Sequence, residues 1–339
     1  MYLADMPIID VRSPSEFAHG HAPGALNMPL FTDEEREAVG ICYKQKGQQA
    51  AVRLGLSFTG PKMADMLAFA DKQAKGQSID LYCWRGGMRS ASVEWLLNLG
   101  DLNVTRWDGG YKSYRQKVLS SWHNPPPLVV LSGLTGSGKT AILNAMGDQV
   151  QVLDLEGLAN HKGSSFGAVM ESPQPMNEQF ENNGAVLFSS MNHKQALWIE
   201  DESRSIGRVF LQDPFFDLKK VAPIVMVHRG IEDRVKHLTE LYGEAPVDEL
   251  IEAFDRIRKR LGDLRTTQCI DAVKAGDLAY ASREALRYYD QSYQKSIDMR
   301  KNQIIWSGNF ADMDHESIAE KLIREAQPVV ESYYKTSHE

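Results

Sequence analysis

The stretch Gly133-Leu134-Thr135-Gly136-Ser137-Gly138-Lys139-Thr140 fits G-x-x-x-x-G-K-[ST] in full, and it limits the possible folds more than any other part of the chain. Leu128-Val129-Val130-Leu131 before it reads as a buried strand, and Ala141 to Met146 after it as a helix. In a strand–loop–helix turn of this kind, successive backbone N–H groups and the positive end of the helix converge on one point and favour an anion there. The candidate phosphate-binding residues are Gly133, Gly136, Ser137, Gly138, Lys139 and Thr140. Lys139 would reach a terminal phosphate and the Thr140 hydroxyl could bind Mg²⁺. A glycine-rich turn that merely caps a helix has no need of Lys-Thr next. The motif therefore asks for an α/β domain with a parallel sheet.

Just upstream, Asn124-Pro125-Pro126-Pro127 cannot lie inside a helix and stiffens the chain in extended form. A length of 339 residues favours two domains. The boundaries expected are a first domain over 1–120, a linker over 121–127 and a phosphate-loop domain over 128–339 with a mainly helical C-terminal region from about Ile231. Within the second domain, Gln151 to Leu155, Ala196 to Ile199 and Pro223 to Val227 read as strands, and Ala281 to Tyr293 and Ser317 to Ala326 as helices. Glu200 and Asp201 end an apolar strand, where phosphate-loop domains place the carboxylate that orients Mg²⁺; they are the candidates for that role or for a substrate loop. Arg256-Ile257-Arg258-Lys259-Arg260 could present a basic helix face to RNA, although such faces are most often only solvated.

The first half alternates short strands with helices, which also implies a parallel sheet covered on both faces. Ile8-Ile9-Asp10-Val11 is a short strand, followed by Ser13, Pro14 and Glu16 in the spacing of a capping box. Asp33 to Gly40 and Pro61 to Ala70 have helical patterns. Ser78 to Tyr82 reads as a strand and Ser90 to Leu97 as a helix, so Cys83 sits where a strand ends and a helix begins. Arg85 and Arg89 bring positive charge to that turn and Gly86-Gly87 let it curl. This environment depresses a thiol pKa and makes the sulfur nucleophilic, against the plainer reading of a buried free cysteine. Cys83, Arg85 and Arg89 are the catalytic candidates.

Composition narrows the class. The chain is 42% apolar and 24% charged, and no run is long enough to cross a bilayer. Nothing at the N-terminus suggests export. Cys42, Cys83 and Cys269 are far apart and odd in number, which predicts reduced thiols in the cytoplasm rather than disulfides. No Cys/His spacing suits zinc, so no metal centre is expected. A net charge of −7 argues against coating nucleic acid through a broad positive field and leaves a local basic patch open.

Ile9-Asp10-Val11-Arg12, Glu16-Phe17, Gly20-His21, Pro23-Gly24-Ala25, Asn27 and Pro29, then Tyr82-Cys83, Arg89-Ser90 and Asp108-Gly109-Gly110-Tyr111, together resemble a rhodanese domain. The resemblance implies a loop cysteine that carries a chalcogen. Many rhodanese loops have four residues between cysteine and arginine; here there are five, a spacing that also resembles the cysteine-dependent phosphatases. A rhodanese-like half followed by a phosphate-loop half resembles the tRNA 2-selenouridine synthase family. Asp154 to Ala159, His161, Gly163-Ser164, Phe166-Gly167, Glu200 to Arg204 and Asn27 to Gly47 look like segments of that family.

The resemblance implies a cytoplasmic transferase acting on the 2-thio group of a modified wobble uridine in tRNA. Sulfur would be replaced by selenium from selenophosphate through an S-geranyl intermediate made from geranyl diphosphate. These would be substrates, with no tightly bound cofactor other than optional Mg²⁺ and no membrane partner. A phosphate-loop kinase with a regulatory rhodanese domain, a cysteine phosphatase and a non-catalytic RNA-binding module remain as alternatives.

Overall fold

The computed structural model describes residues 6–74, 76 and 78–336, and the chain divides into two compact units. One holds the chain up to Ser121 together with Glu178–Ser189; the other holds Trp122–Asn177 and the chain from Ser190 onward. Both are α/β with parallel main sheets.

The first unit contains β1 (Ile8–Asp10), α1 (Pro14–His19), β2 (Ala25–Asn27), α2 (Asp33–Thr59), α3 (Met63–Ala74), β3 (Ile79–Tyr82), α4 (Met88–Leu99), β4 (Val104–Arg106) and α5 (Gly110–His123). Its sheet runs β2-β1-β3-β4, every pairing parallel, with Ile8 opposite both Ala25 and Asp80, and Ile79 opposite Val104. Parallel strands need helical crossovers, which cover both faces; β1 and β3 are accordingly buried at every residue. The expected capping box is present, the Ser13 N–H donating to Glu16 Oε2 at 3.3 Å. The two helical patterns between Thr32 and Phe69 differ in extent from expectation, since α2 runs for 27 residues and is interrupted at Gly47.

The second unit contains β5 (Leu128–Ser132), α6 (Lys139–Ala145), β6 (Gln151–Leu153) and α7 (Leu155–Ala159). Then come β7 (Leu197–Glu200), the hairpin β8 (Ser205–Ile206) and β9 (Val209–Phe210), α9 (Asp213–Val221) and β10 (Ile224–His228). The helices α10 (Ile231–Leu241), α11 (Val247–Leu261), α12 (Asp263–Lys274) and α13 (Leu278–Arg300) follow, then β11 (Ile304–Asn309), α14 (His315–Lys321) and α15 (Gln327–Thr336). The sheet order is β11-β10-β5-β7-β6, all parallel, with the phosphate-loop strand in the middle. The chain winds to one side of β5 through β6 and β7 and to the other through β10 and β11. The carboxyl end of β5 is thus a switch point, where open sheets of this kind bind ligands.

Three features depart from the sequence reading. The helix α8 (Asn177–Ser190), which falls between α7 and β7 in the chain and is called the bridging helix below, has all but its terminal residues in the first unit. The C-terminal region is not purely helical: Ile304-Ile305-Trp306 opens an edge strand, too short an apolar run to stand out among long helices. The expected linker is partly helical, because α5 continues to His123, where the Trp122 ring packs edge-on against Phe215 with centroids 5.0 Å apart.

Candidate active site

In the first unit, the clamped β3 delivers Cys83 as the first residue past its end, and α4 begins five residues later with Gly87 as its N-cap. The loop between is held by the first turn of α5. The Tyr111 N–H donates to the Cys83 carbonyl and the Lys112 N–H to that of Trp84, both at 2.9 Å. This close approach requires Gly110: its φ is +60°, and a Cβ there would lie 2.3 Å from the Cys83 oxygen and 2.4 Å from the Gly86 nitrogen. Tyr111 is itself braced. Its hydroxyl donates to Glu178 Oε1 and accepts from Asn182 Nδ2, each at 2.8 Å, and the Arg12 guanidinium lies over its ring at 3.8 Å. Glu178 and Asn182 belong to the bridging helix.

The Cys83 side chain is buried, with Sγ 3.2 Å from Ser90 Oγ. Burial on its own would raise the thiol pKa. Hydrogen bonds from the Ser90 hydroxyl and from the N–H groups of Ser90 and Arg85, with the charge of Arg89, outweigh it and hold the pKa below the usual thiol value. The two arginines therefore act differently from the simple pair the sequence suggests. Arg89 influences the sulfur by charge while its NH1 donates to Glu16 Oε2 at 2.8 Å. Arg85 contributes its backbone N–H, and its residue is exposed at the rim. Ser90, one turn into the helix, is the residue that sequence reasoning did not single out; its place beside the thiol follows only once α4 starts at Met88.

In the second unit, the loop Gly133–Thr140 joins β5 to α6 as expected, and Gly136, Gly138, Lys139 and Thr140 line a cavity of about 530 Å³. Gly133 and Ser137 are buried behind them, and Ser137 Oγ has no hydrogen-bond partner. Lys139 Nζ lies 3.5 Å from the Gly133 carbonyl oxygen. Burial would lower its pKa, but Tyr293, Glu202, Glu156 and Asp201 raise it above the ordinary value, so the ammonium stays charged. The Thr140 hydroxyl donates to Glu156 Oε2 at 2.5 Å.

The acidic residues at the end of β7 are held by hydrogen bonds from neighbouring groups. Asp201 accepts from Ser132 Oγ at 2.7 Å, Lys219 Nζ at 3.1 Å and both terminal nitrogens of Arg300 at 2.9 and 2.6 Å. Burial alone would raise its pKa; these cations and the hydroxyl bring it well below the carboxylate range. Glu200 Oε2 accepts from the Leu155 N–H at 3.1 Å, and burial, with Asp154 and Glu156 nearby, pushes its pKa well above normal. Asp201 nonetheless lines the cavity, and Glu156 and Glu202 join it on the wall beside the phosphate loop. Burial and the neighbouring Glu156 push the Glu202 pKa up to about 8 against the pull of Lys139 and Lys219, so Glu202 keeps a proton near neutral pH. Glu156 lies in the Asp154 to Ala159 segment, and Glu202 is two residues past the strand end, where alternation no longer fixes which way a side chain points.

Beyond these groups the lining is mixed, with polar residues such as Lys162, Glu171 and Ser282 on one part and a hydrocarbon wall on another. Leu238 and Leu241 of α10, Leu250 and Phe254 of α11, Val273 of α12 and Leu286 of α13 form that wall. The basic run on α11 is partly committed locally: Arg256 donates to the Ser165 carbonyl at 2.8 Å and Arg258 to Asp255 at 2.7 Å. The opposite face of that helix buries Leu250, Ala253, Phe254, Ile257 and Leu261, an apolar stripe at helical spacing. Among the described residues no helix is long and apolar enough to cross a membrane, and no group of three or more His, Cys, Asp or Glu side chains is placed to hold a metal ion.

Known proteins resemble the chain in the same two parts. Residues 2–117 match the family model of the rhodanese-like domain, and residues 126–322 match that of the tRNA 2-selenouridine synthase AAA domain. The tRNA 2-selenouridine synthase of Shewanella oneidensis is 34% identical, over 93% of this chain and 92% of its own. That of Hydrogenovibrio crunogenus is 36% identical over 91% and 94%, and that of Serratia proteamaculans 34% over 92% of each. A loop cysteine tuned toward thiolate, a phosphate loop opening on an apolar cavity and relatives matching along nearly the whole length lead to one conclusion: this chain belongs to the tRNA 2-selenouridine synthase family.

Proposed function

We propose that this protein is a cytoplasmic tRNA 2-selenouridine synthase, a transferase that replaces the 2-thio sulfur of a modified wobble uridine with selenium from selenophosphate, by way of an S-geranyl intermediate. The observation that carries the geranyl step is the composition of the cavity. A phosphate loop with a charged Lys139 opens onto a wall of Leu238, Leu241, Leu250 and Phe254, which suits a diphosphate joined to a hydrocarbon better than a nucleotide base and ribose. The same feature weighs against the kinase reading.

In the first step the thiocarbonyl sulfur attacks the diphosphate-bearing carbon. The S–C bond forms, the C–O bond breaks, the N3 proton of the uridine leaves and diphosphate departs into the N–H groups of the loop and Lys139. Thr140, Glu156 and Glu202 are the groups that would hold a Mg²⁺ ion, which would supply charge neutralisation of the diphosphate. Alkylation prepares the uridine for substitution, because an alkylated sulfur leaves as a thiol rather than as sulfide. In the second step the Cys83 thiolate attacks C2 and geranylthiol leaves; the selenium of selenophosphate then displaces Cys83 from C2, and water cleaves the Se–P bond to release phosphate, with Arg85 and Arg89 neutralising selenophosphate and the phosphate formed.

Nucleoside mass spectrometry of tRNA from a deletion strain tests this. Restoration with wild type should return 2-selenouridine, Cys83→Ser should leave the S-geranyl nucleoside without selenium, and Lys139→Ala should abolish both products. Unchanged nucleosides in the deletion strain would refute the function, and full geranylation by Lys139→Ala would refute the assignment of the loop.

A further inference from the structure

The helix α2 contains a stretch that the core of its unit does not use. From Tyr43 to Gln49 seven consecutive residues are exposed, so the helix meets solvent on every side there. Burial of an apolar stripe is what ordinarily holds a surface helix to its domain, and here there is none. The chain breaks helical geometry in the middle of this stretch, at Gly47, whose φ of +81° and ψ of 178° suit glycine alone. Nothing lies within 4 Å of where a Cβ would be, so the glycine serves the bend and not a close contact.

Charge in this stretch runs opposite to that of the whole molecule. The protein has 45 acidic residues and a net charge of −7, yet no Asp or Glu occurs from Ala38 to Ala64. Lys44, Lys46 and Arg53 are exposed within it, as is Tyr43. The bend also lies against the cysteine loop: the Gln48 side-chain amide donates to Met88 Sδ at 3.3 Å, and Met88 opens α4 at the end of the loop that carries Cys83.

We propose that this bent basic arm is the surface on which the RNA substrate lies when its thiouridine is presented to Cys83, with Lys44, Lys46 and Arg53 contacting phosphates and Tyr43 offering a ring to an unpaired base. A polyanion is the partner that such a face fits: it is positive in an otherwise acidic protein, polar around its whole circumference, and next to the nucleophile. The assignment rests on the proposed action on tRNA.

Binding of a synthetic RNA hairpin carrying 2-thiouridine in its loop, titrated against salt with the full-length protein, tests it. The triple variant Lys44→Gln, Lys46→Gln, Arg53→Gln alters exposed side chains and should fold normally, with Cys83 alkylated by iodoacetamide at the wild-type rate. Each lost phosphate contact lowers the slope of log K against log salt by about 0.7 to 0.9, so the slope should fall by roughly 2 and the affinity at low salt on the order of tenfold or more. Tyr43→Ala should weaken binding at unchanged slope. Wild-type binding with an unaltered slope and affinity in the triple variant would overturn the arm's role alone. Failure of the wild type to bind the hairpin at low salt would overturn the RNA reading itself and the arm's role with it.

Discussion

Replacing Ser90 by alanine should move the Cys83 titration toward alkaline pH by about one unit. Ser90 Oγ lies 3.2 Å from Cys83 Sγ and 3.1 Å from the Gly87 carbonyl oxygen, and a hydroxyl has one proton to give. Beside a neutral thiol it donates to Gly87; beside a thiolate it turns to the sulfur. A hydrogen bond to a charged group contributes about 1.5–3 kcal/mol, and the neutral bond given up in exchange about 0.5–1.5 kcal/mol. The thiolate therefore gains roughly 1–1.5 kcal/mol from Ser90, and at 1.36 kcal/mol per unit that is close to one pKa unit. Burial opposes ionisation in both proteins, so it cancels in the comparison. The assay is the pH dependence of iodoacetamide modification, with peptide mass spectrometry to separate Cys83 from Cys42 and Cys269. In the variant the inflection rises by about one unit and the rate at neutral pH falls accordingly. An inflection that stays in place would show that the backbone N–H groups and Arg89 hold the thiolate without the hydroxyl, and the argument from its single proton would fail.

Gly110→Ala should lower the melting temperature markedly and slow Cys83 alkylation, because the new methyl would sit 2.3 Å from the Cys83 oxygen at a φ of +60°; a wild-type melting curve would count against the clamp. Asp201→Asn leaves the buried Lys219 ammonium without its carboxylate and should cost about 3–5 kcal/mol in denaturant titration, while a loss below about 1 kcal/mol would contradict the ion-pair cage. Glu202 has a folded pKa of about 8 against an ordinary value of 4.5, so the folded state binds the extra proton between those values and stability should fall as pH rises through that window. Glu202→Gln should flatten this slope in ligand-free, Mg²⁺-free buffer; an unchanged slope would place the titration elsewhere.

Both sites were legible as loops before they were legible as chemistry. A strand, a short loop of fixed composition and a helix are local features, so Cys83 could be placed at a strand end and Lys139 at the start of the helix after its loop from sequence alone. The partners that set their chemistry come from elsewhere in the chain or from the register of a helix. Ser90 reaches the thiol because α4 starts at Met88, and Glu156 reaches Thr140 because β6 ends at Leu153 and α7 turns back. The acidic residues at the end of β7 show the limit most clearly. Of three successive carboxyls, Asp201 lines the cavity but is neutralised by two cations from distant helices, Glu200 is buried behind the wall and Glu202 lines the cavity near Lys139, and no local pattern ranks them. The edge strand β11 and the bridging helix were missed for a related reason, since their neighbours are set by tertiary contacts and not by their own periodicity.

The bridging helix also has a consequence for how the protein is made. When a ribosome has released the chain through α5, every strand of the first unit exists, but Tyr111 still lacks Glu178 and Asn182, and the Arg115 guanidinium lacks Asn182 Oδ1. These arrive only after roughly fifty to seventy further residues, including the phosphate loop, which at about 5–20 residues per second means a delay of several seconds. During that interval the nascent domain carries an uncovered face and an unbraced cysteine loop. A message cut at the Pro-Pro-Pro segment would yield a fragment frozen in that state, so the two halves of this gene are one folding unit in time even though they form two units in space.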